Sequence, residues 1–327
     1  MDRTIKLQLN TAPEQEIALL QSISGFTEAF NFLCAYGWQH NLKNNVKLQR
    51  ECYYTLKELM PTMPTQLFVA ACHKAAEALK SVFTHLRNFP AKLKKWKAAK
   101  AKTEAKGKTF RRREPNPPTC PKSKLCPVRY DMRSYWVKWD KAKASLATPL
   151  GRVAVDFSVP EYYQKYTGFP TASADLIYRK GKFWLHVVVT IPQVEFQDNT
   201  QAVGIDLGLN HPAVTSNRKF LGKRRWKEVI QRFFRMKRKL QSCGTKSAKR
   251  HLRKLSGKVQ RFRKDCDHVL SKRTVQSCST GATIVIEDLT EIRDTTEQRN
   301  RESRRRLHSW SFAQFRFFLD YKAEAAG

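Results

Sequence analysis

Two carboxylates stand apart because of what surrounds them. The stretch AVGIDLGLN at 202–210 reads as an apolar strand carrying one acid, Asp206. Strand alternation puts Val203, Ile205 and Leu207 on one face and Gly204, Asp206 and Gly208 on the other. An ionised carboxylate in an apolar layer is costly unless it is paired, hydrogen-bonded or bound to metal, so Asp206 needs a partner. The flanking glycines suggest that a metal ion or a phosphate approaches the backbone closely; an acid capping a turn at a strand end is the competing possibility. ATIVIEDLT at 282–290 repeats the pattern. There Thr283, Val285 and Glu287 share one face, and Ile284, Ile286 and Asp288 the other, so Glu287 mirrors Asp206. Parallel strands joined by a long helical crossover are commonly sheet neighbours, which brings the side chains at their ends within reach of one metal. Asp206 and Glu287 are therefore the candidate catalytic acids and metal ligands. Carboxylate oxygens suit Mg²⁺ or Mn²⁺, and such ions activate water and stabilise the leaving oxygen of a phosphodiester.

The elements that must position this pair are legible around it. Between the two strands, PAVTS reads as a short strand, and Trp226, Ile230, Phe233, Lys237 and Leu240 mark a helix that breaks at CGTKS. Leu252, Leu255, Val259, Phe262, Cys266, Val269 and Arg273 follow at alternating spacings of three and four, predicting an antiparallel helical hairpin over 226–279. Upstream, TIKLQL is an opening strand. Thr11 and Glu14 fit a capping box with Pro13 in the first turn, followed by a stripe of Ile17, Leu20, Ile23, Phe26, Phe30 and Leu33. After the PTMP breaker a second amphipathic helix carries Leu67, Ala71, Ala75, Ala78 and Val82; core packing accounts for both stripes. Residues 128–191 are β-rich, with RKGK as a hairpin turn, and predict a small barrel or sheet to which the opening strand could add.

Composition points to the partner class. There are 62 Lys and Arg against 28 Asp and Glu, a formal charge of +34, and a pI near 10.1. Such an excess suits a polyanion, because neutralised phosphates release condensed counterions. No apolar run in the sequence reads as a transmembrane helix, and the N-terminus has no signal-peptide apolar region, so no membrane partner and a cytoplasmic, nucleoid-associated location are expected. The eight cysteines include no CxxC pair, and CPKSKLC at 120–126 is too widely spaced for a usual zinc knuckle; reduced, mostly buried thiols are expected. The basic run 92–113 interleaves Trp96 and Phe110 with cations, as a phosphate-tracking, base-stacking surface would, although a solvated face accounts for charge alone. Candidate nucleic-acid contacts are Lys94, Lys95, Arg111, Arg112 and Arg113 in this run, Lys223, Arg224 and Arg225 before the hairpin, and Arg304 and Arg305 further on. Thr65 and Gln66 open the second amphipathic helix, whose N-terminus could present polar groups to DNA; capping accounts for a Thr there equally well.

GIDLGLNHPAV, the D-x-x-H-x-x-S of DCDHVLS at 265–271, IVIEDL, and LHSWSFAQFRFFLDYKAEAAG together resemble the TnpB (OrfB-type) proteins of insertion sequences, densely over 200–327 and more loosely before. The resemblance implies an RNA-guided, Mg²⁺-dependent DNA endonuclease with a RuvC-like, RNase H-type domain, in which Asp206 and Glu287 are the first two acids. The partners it implies are a guide RNA and a double-stranded DNA target; no oligomeric state follows from the sequence. It also implies an α+β multidomain layout: an OB-like wedge barrel from 1–10 and 119–198, a helical recognition domain with a basic tail over 11–118, and a RuvC-like domain over 199–327. Family members continue past the equivalent of YKAEAAG into another strand, a CxxC…CxxC zinc ribbon and a third Asp. The chain stops at Gly327, so a truncated, catalytically impaired nuclease without its zinc is expected. Asp320, on an aromatic helix with Trp310, Phe317 and Tyr321, is a poor substitute for the third acid.

Three further readings compete. A guide-RNA and DNA-binding protein that acts by occupancy fits a missing third acid but not the retained pair. GIDLG alone also resembles the phosphate-loop strand of actin-type and Hsp70-type ATPases, which need further Gly-rich loops, none of which is visible. A DDE-type strand-transfer enzyme would use the same fold and acids and is the weaker reading.

Overall fold

This computed structural model describes residues 1–107, 109–192, 194–195, 199–208, 211–289, 292, 300–309 and 311–327, apart from the side chains at 301, 306 and 308. The chain forms two compact units, Met1–Ile191 and Pro192–Gly327.

The first unit is built on a seven-stranded antiparallel sheet. Its strands are β1 (Asp2–Asn10), β2 (Val128–Tyr130), β3 (Tyr135–Lys138), β4 (Lys143–Thr148), β5 (Gly151–Ser158), β6 (Thr171–Arg179) and β7 (Lys182–Thr190), in the order β2-β6-β7-β1-β5-β4-β3. The edge strands β2 and β3 are consecutive in the chain, separated only by residues 131–134, so the sheet curls into a nearly closed barrel. Asp131 holds that turn, its Oδ1 accepting hydrogen bonds from the Ser134 N–H and Oγ. The opening strand lies inside the sheet, between β7 and β5. The RKGK turn is a two-residue hairpin with Lys180 and Gly181 at φ 55° and 73°, the left-handed pair that a tight antiparallel connection requires.

Two helices, α1 (Pro13–Gln39) and α3 (Thr65–Glu104), pack on this barrel, and α2 (Asn45–Leu59) packs on them. A short α4 (Glu161–Gln164) links β5 to β6. Ile5, Leu7, Phe26, Leu33, Leu67, Leu146 and Leu185 belong to one continuous core, so the helical segment and the barrel fold as one compact unit. The α1 cap sits one residue later than expected: Ala12 is the N-cap, and its N–H donates to Gln15 Oε1. Ile17 and Leu20 are exposed while Ala18 and Leu19 are buried, so the core-facing stripe is rotated from the expected one at the helix start. By length and composition α1 could cross a membrane, contrary to the sequence reading, and 56% of that window is buried in the fold. The sequence reading also missed α2, whose signal was Asn44 as N-cap, accepting from the Val46 and Lys47 N–H groups, ahead of Leu48, Cys52 and Leu56 at four-residue spacing.

The second unit carries a four-stranded sheet of β8 (Ala202–Asp206), β9 (Ala213–Thr215), β10 (Phe220–Leu221) and β11 (Thr283–Ile286), ordered β10-β9-β8-β11. The crossover from β10 to β11 is a hairpin of α5 (Arg225–Cys243) and α6 (Lys246–Gln276). Gly244 closes α5 at φ 65°, and the Thr245 hydroxyl opens α6 by accepting from the Ala248 N–H. Then come α7 (Arg301–His308) and α8 (Phe312–Glu324). Ile205, Leu207, Leu270, Phe315 and Leu319 form the core beneath the sheet. Asp320 is on the exposed side of α8, and Trp310 lies outside the described residues.

Candidate metal and nucleic-acid site

The site begins with strand parity. Val203, Ile205 and Leu207 point into the core of the second unit, which turns Asp206 outward. β11 pairs with β8 in parallel, matching Thr283 with Ala202 and Ile286 with Ile205. One residue further on, Glu287 meets Asp206, with the two carboxyls within hydrogen-bonding reach. Hydrogen bonding to Asp206 holds the Glu287 carboxyl above its ordinary range; burial and repulsion from Asp206 act the same way, and the Leu207 backbone N–H opposes them. Both acids are exposed, so Asp206 is not the buried charge its apolar context suggests. They stand in an open groove of about 460 Å³, whose walls include Gly204, Thr215, Ser216 and Val285.

The donor set fits a hard divalent cation. Two carboxylates in contact repel each other when ionised, and a cation between them removes that repulsion. Neither acid takes part in an ion pair among the described residues. No third Asp, Glu, His or Cys joins them among the described residues. An ion held by Asp206 and Glu287 alone keeps water or phosphate in its remaining positions, as Mg²⁺ favours.

Of the two glycines of β8 and its following turn, Gly208 is constrained by the chain's own packing. A Cβ on Gly208 would lie 2.8 Å from the His211 carbonyl oxygen, to which the Gly208 N–H also donates, so the close approach is between two parts of this backbone. Gly204 meets only Ser216, at ordinary contact distance.

The expected nucleic-acid residues divide between the units. Thr65 is the exposed first residue of α3, whose N-cap is Pro64. The Gln66 amide donates to Asp131 Oδ2, tying the helix start to the barrel turn. Lys94 and Lys95 lie on the exposed end of α3, beyond its last buried residue, Leu79. Arg111, Arg112 and Arg113 are exposed on a strand of coil that returns beside that helix, where the Trp96 Nε1–H donates to the Arg112 carbonyl at 3.3 Å. Trp96 and Phe110 pack edge to face at 5.6 Å, so each ring has the other as a partner. In the second unit Lys223, Arg224 and Arg225 are exposed at the start of α5, where the helix dipole disfavours cations. Arg304 is exposed, and the Arg305 guanidinium lies 3.6 Å from the centre of the Phe234 ring.

Sequence reasoning overlooked one buried polar cluster. Asp267, whose carboxyl burial pushes up to about 6, accepts a 2.5 Å hydrogen bond from Ser311 Oγ. Beside it His268 stacks on Phe318 at 3.8 Å, and Lys322 Nζ donates to the His268 carbonyl and Ser271 Oγ. The D-x-x-H-x-x-S spacing was the signal. Two of its residues, His268 and Ser271, latch α6 to α8, and Asp265 is exposed.

Comparison with known proteins gives a consistent picture. Residues 186–308 match the OrfB_IS605 family, described as a probable transposase. The TnpB-like protein MJ0751 of Methanocaldococcus jannaschii is 31% identical over 105 residues, which are 31% of this chain and 38% of that protein. The chain thus spans less than two fifths of the length of the curated relative it matches. The fold is similar to a chain of the cryo-EM structure of the Cas12f1-sgRNA-target DNA complex, with a TM-score of 0.63 and 11% identity, over 100% of this chain and 88% of that one.

Proposed function

We propose that the chain, a TnpB-type protein by its family match, its relative and its fold, acts as an RNA-guided, metal-dependent DNA endonuclease of an insertion sequence, with guide RNA and target DNA as its partners. The observation that carries the reading is the Asp206–Glu287 contact on adjacent parallel strand ends. The strand order, with an antiparallel meander followed by a parallel fourth strand, supports an RNase H-like, RuvC-type domain in the second unit. Asp206 and Glu287 would hold Mg²⁺ or Mn²⁺, which supplies activation of water and stabilisation of the leaving oxygen of a phosphodiester. Carboxylates bind a cation in their ionised form, so metal affinity rises with pH. The open groove admits a phosphodiester backbone to this pair, while Lys223, Arg224 and Arg225 place positive charge beside a helix N-terminus, where phosphate is favoured. Sequence choice would come from base pairing with the guide, the protein reading shape and a short flanking motif.

The test is to purify the protein with the RNA it retains, sequence that RNA, and offer DNA complementary to it. Cleavage should require Mg²⁺ or Mn²⁺ and vanish in Asp206→Ala and Glu287→Ala, with the retained RNA unchanged. Cleavage that survives both substitutions would overturn the reading. A second reading, occupancy without cleavage, is favoured by the absence of a third ligand among the described residues. Intact RNA and DNA binding with no cutting in either metal would select it.

A further inference from the structure

A cavity of the second unit lies between α5 and α6 and has a volume of about 1000 Å³. That is at the upper end of ordinary ligand cavities. It exists because the apolar stripe of α5 is incompletely covered: not one residue of that helix is buried, although Trp226, Ile230, Phe233 and Phe234 all face the cavity. Leu255, Val259 and Leu270 of α6 form the opposite wall.

The polar groups on its lining are strongly biased in sign. Lys223, Lys227, Lys237, Arg263 and Arg305 contribute cations, and the single carboxyl, Asp267, is occupied by Ser311. The Arg263 Nε is buried without a hydrogen-bond partner, a donor waiting for an acceptor. The Arg305 guanidinium lies 3.6 Å from the centre of the Phe234 ring and pairs with Glu302 Oε1 at 3.6 Å. Gly208 and Pro212 also line the cavity, so it lies beside the end of the strand that carries Asp206.

We infer that this cavity holds unstacked bases of the single DNA strand presented to Asp206 and Glu287, with its phosphates on the rim cations. The inference rests on the nuclease reading for the identity of the strand. A purely apolar ligand would offer nothing to Lys223, Lys237 and the Arg263 donor, and an apolar protein helix would bury them. Bases satisfy each feature at once: ring faces for Trp226 and Phe233, a carbonyl or ring nitrogen for Arg263 Nε, and phosphates for Lys223 and Lys237. Duplex DNA cannot enter, because its bases are already stacked and paired.

The experiment uses the full chain with its retained RNA and an oligothymidylate carrying 5-bromodeoxyuridine, irradiated and mapped by peptide mass spectrometry. Cross-links should fall within 226–237 or 252–270. Unlabelled single-stranded DNA should compete at least about tenfold better than duplex or oligouridylate. Phe233→Ala should weaken the cross-link about tenfold, the loss of roughly one stacked base, while Phe233→Tyr restores it and so excludes misfolding. Lys237→Ala should lower the salt slope of binding by about one. Cross-links confined to other segments, or better competition by oligouridylate, overturn the inference. In Asp206→Ala the cross-link should persist without cleavage. Cleavage with no cross-link in the hairpin defeats this inference alone, whereas a hairpin cross-link with metal-independent cutting defeats the nuclease reading alone.

Discussion

Asp267 links stability to pH in a way that can be calculated. It is 7% exposed, and burial, its largest influence, pushes its carboxyl from 3.8 up to about 6 against the opposing Ser311 hydrogen bond and Arg263 charge. An acid raised on folding binds more protons folded than unfolded. Its contribution is therefore most favourable below pH 3.8 and is lost as pH rises to about 6. Above that window the ionised group disfavours the fold by roughly 3 kcal/mol at 1.36 kcal/mol per pH unit, an upper figure that relaxation and water entry reduce to about 2. Asn has the same shape and can accept the Ser311 hydrogen bond without ionising. Asp267→Asn should then resemble the wild type near pH 4 and exceed its stability by about 2–3 kcal/mol at pH 8, or roughly 6–10 °C in melting temperature. Urea unfolding at both pH values, followed by hydrogen exchange of α6 peptides, reads the second unit separately. A variant less stable than the wild type at pH 8 would refute the reasoning, because the ionised carboxyl beside Arg263 would then be a net support of the fold.

Other outcomes test individual contacts. Gly208→Ala should shift or unfold the turn after β8, since its Cβ would fall 2.8 Å from the His211 oxygen; circular dichroism and loss of metal binding would show it, and a variant with native melting and metal affinity would contradict the steric account. Gln66→Ala should destabilise the first unit by about 1–3 kcal/mol, by leaving part of Asp131 unsatisfied, whereas Thr65→Ala should change stability by less than about 0.5 kcal/mol. If Thr65 reads DNA, only its own substitution alters the flanking-motif preference at constant stability. Binding of structured RNA should fall about 10³-fold or more between 50 and 200 mM salt if ~6 or more phosphates are neutralised, and a flat response in a filter-binding series would remove the polyanion reading.

Parity along a strand is a local property, and for that reason the carboxylate pair could be found from the sequence. Alternation fixes which side chains share a face, and the apolar run fixes which face is inside, so Asp206 and Glu287 had to emerge on the same side once β8 and β11 were parallel neighbours. The hairpin was legible for the same reason, through helical periodicity and the Gly244–Thr245 break. Long-range partnership is what periodicity does not encode. Gln66 could be read as a helix-start residue, yet its partner Asp131 is 65 positions away. Trp96 and Phe110 could be read as interleaved aromatics, yet nothing local says that the coil after α3 folds back and pairs them.

The same distinction accounts for why the charge on Asp206 was misjudged while its position was not. An apolar neighbourhood in sequence measures the burial of alternate residues, and on a two-faced strand the other residues can be in water. What keeps an acid at such a position cannot then be desolvation, since neither Asp206 nor Glu287 is buried. The two acids act on each other instead: side-chain hydrogen bonding to Asp206 is the largest influence raising the Glu287 carboxyl, ahead of burial. A pair of that kind is unfavourable when both groups ionise, and neither has a Lys or Arg ion-pair partner among the described residues to offset it. The fold therefore maintains a like-charge contact whose one opposing influence on Glu287 is the Leu207 backbone N–H, and a divalent cation between the two acids is what would make such a contact favourable.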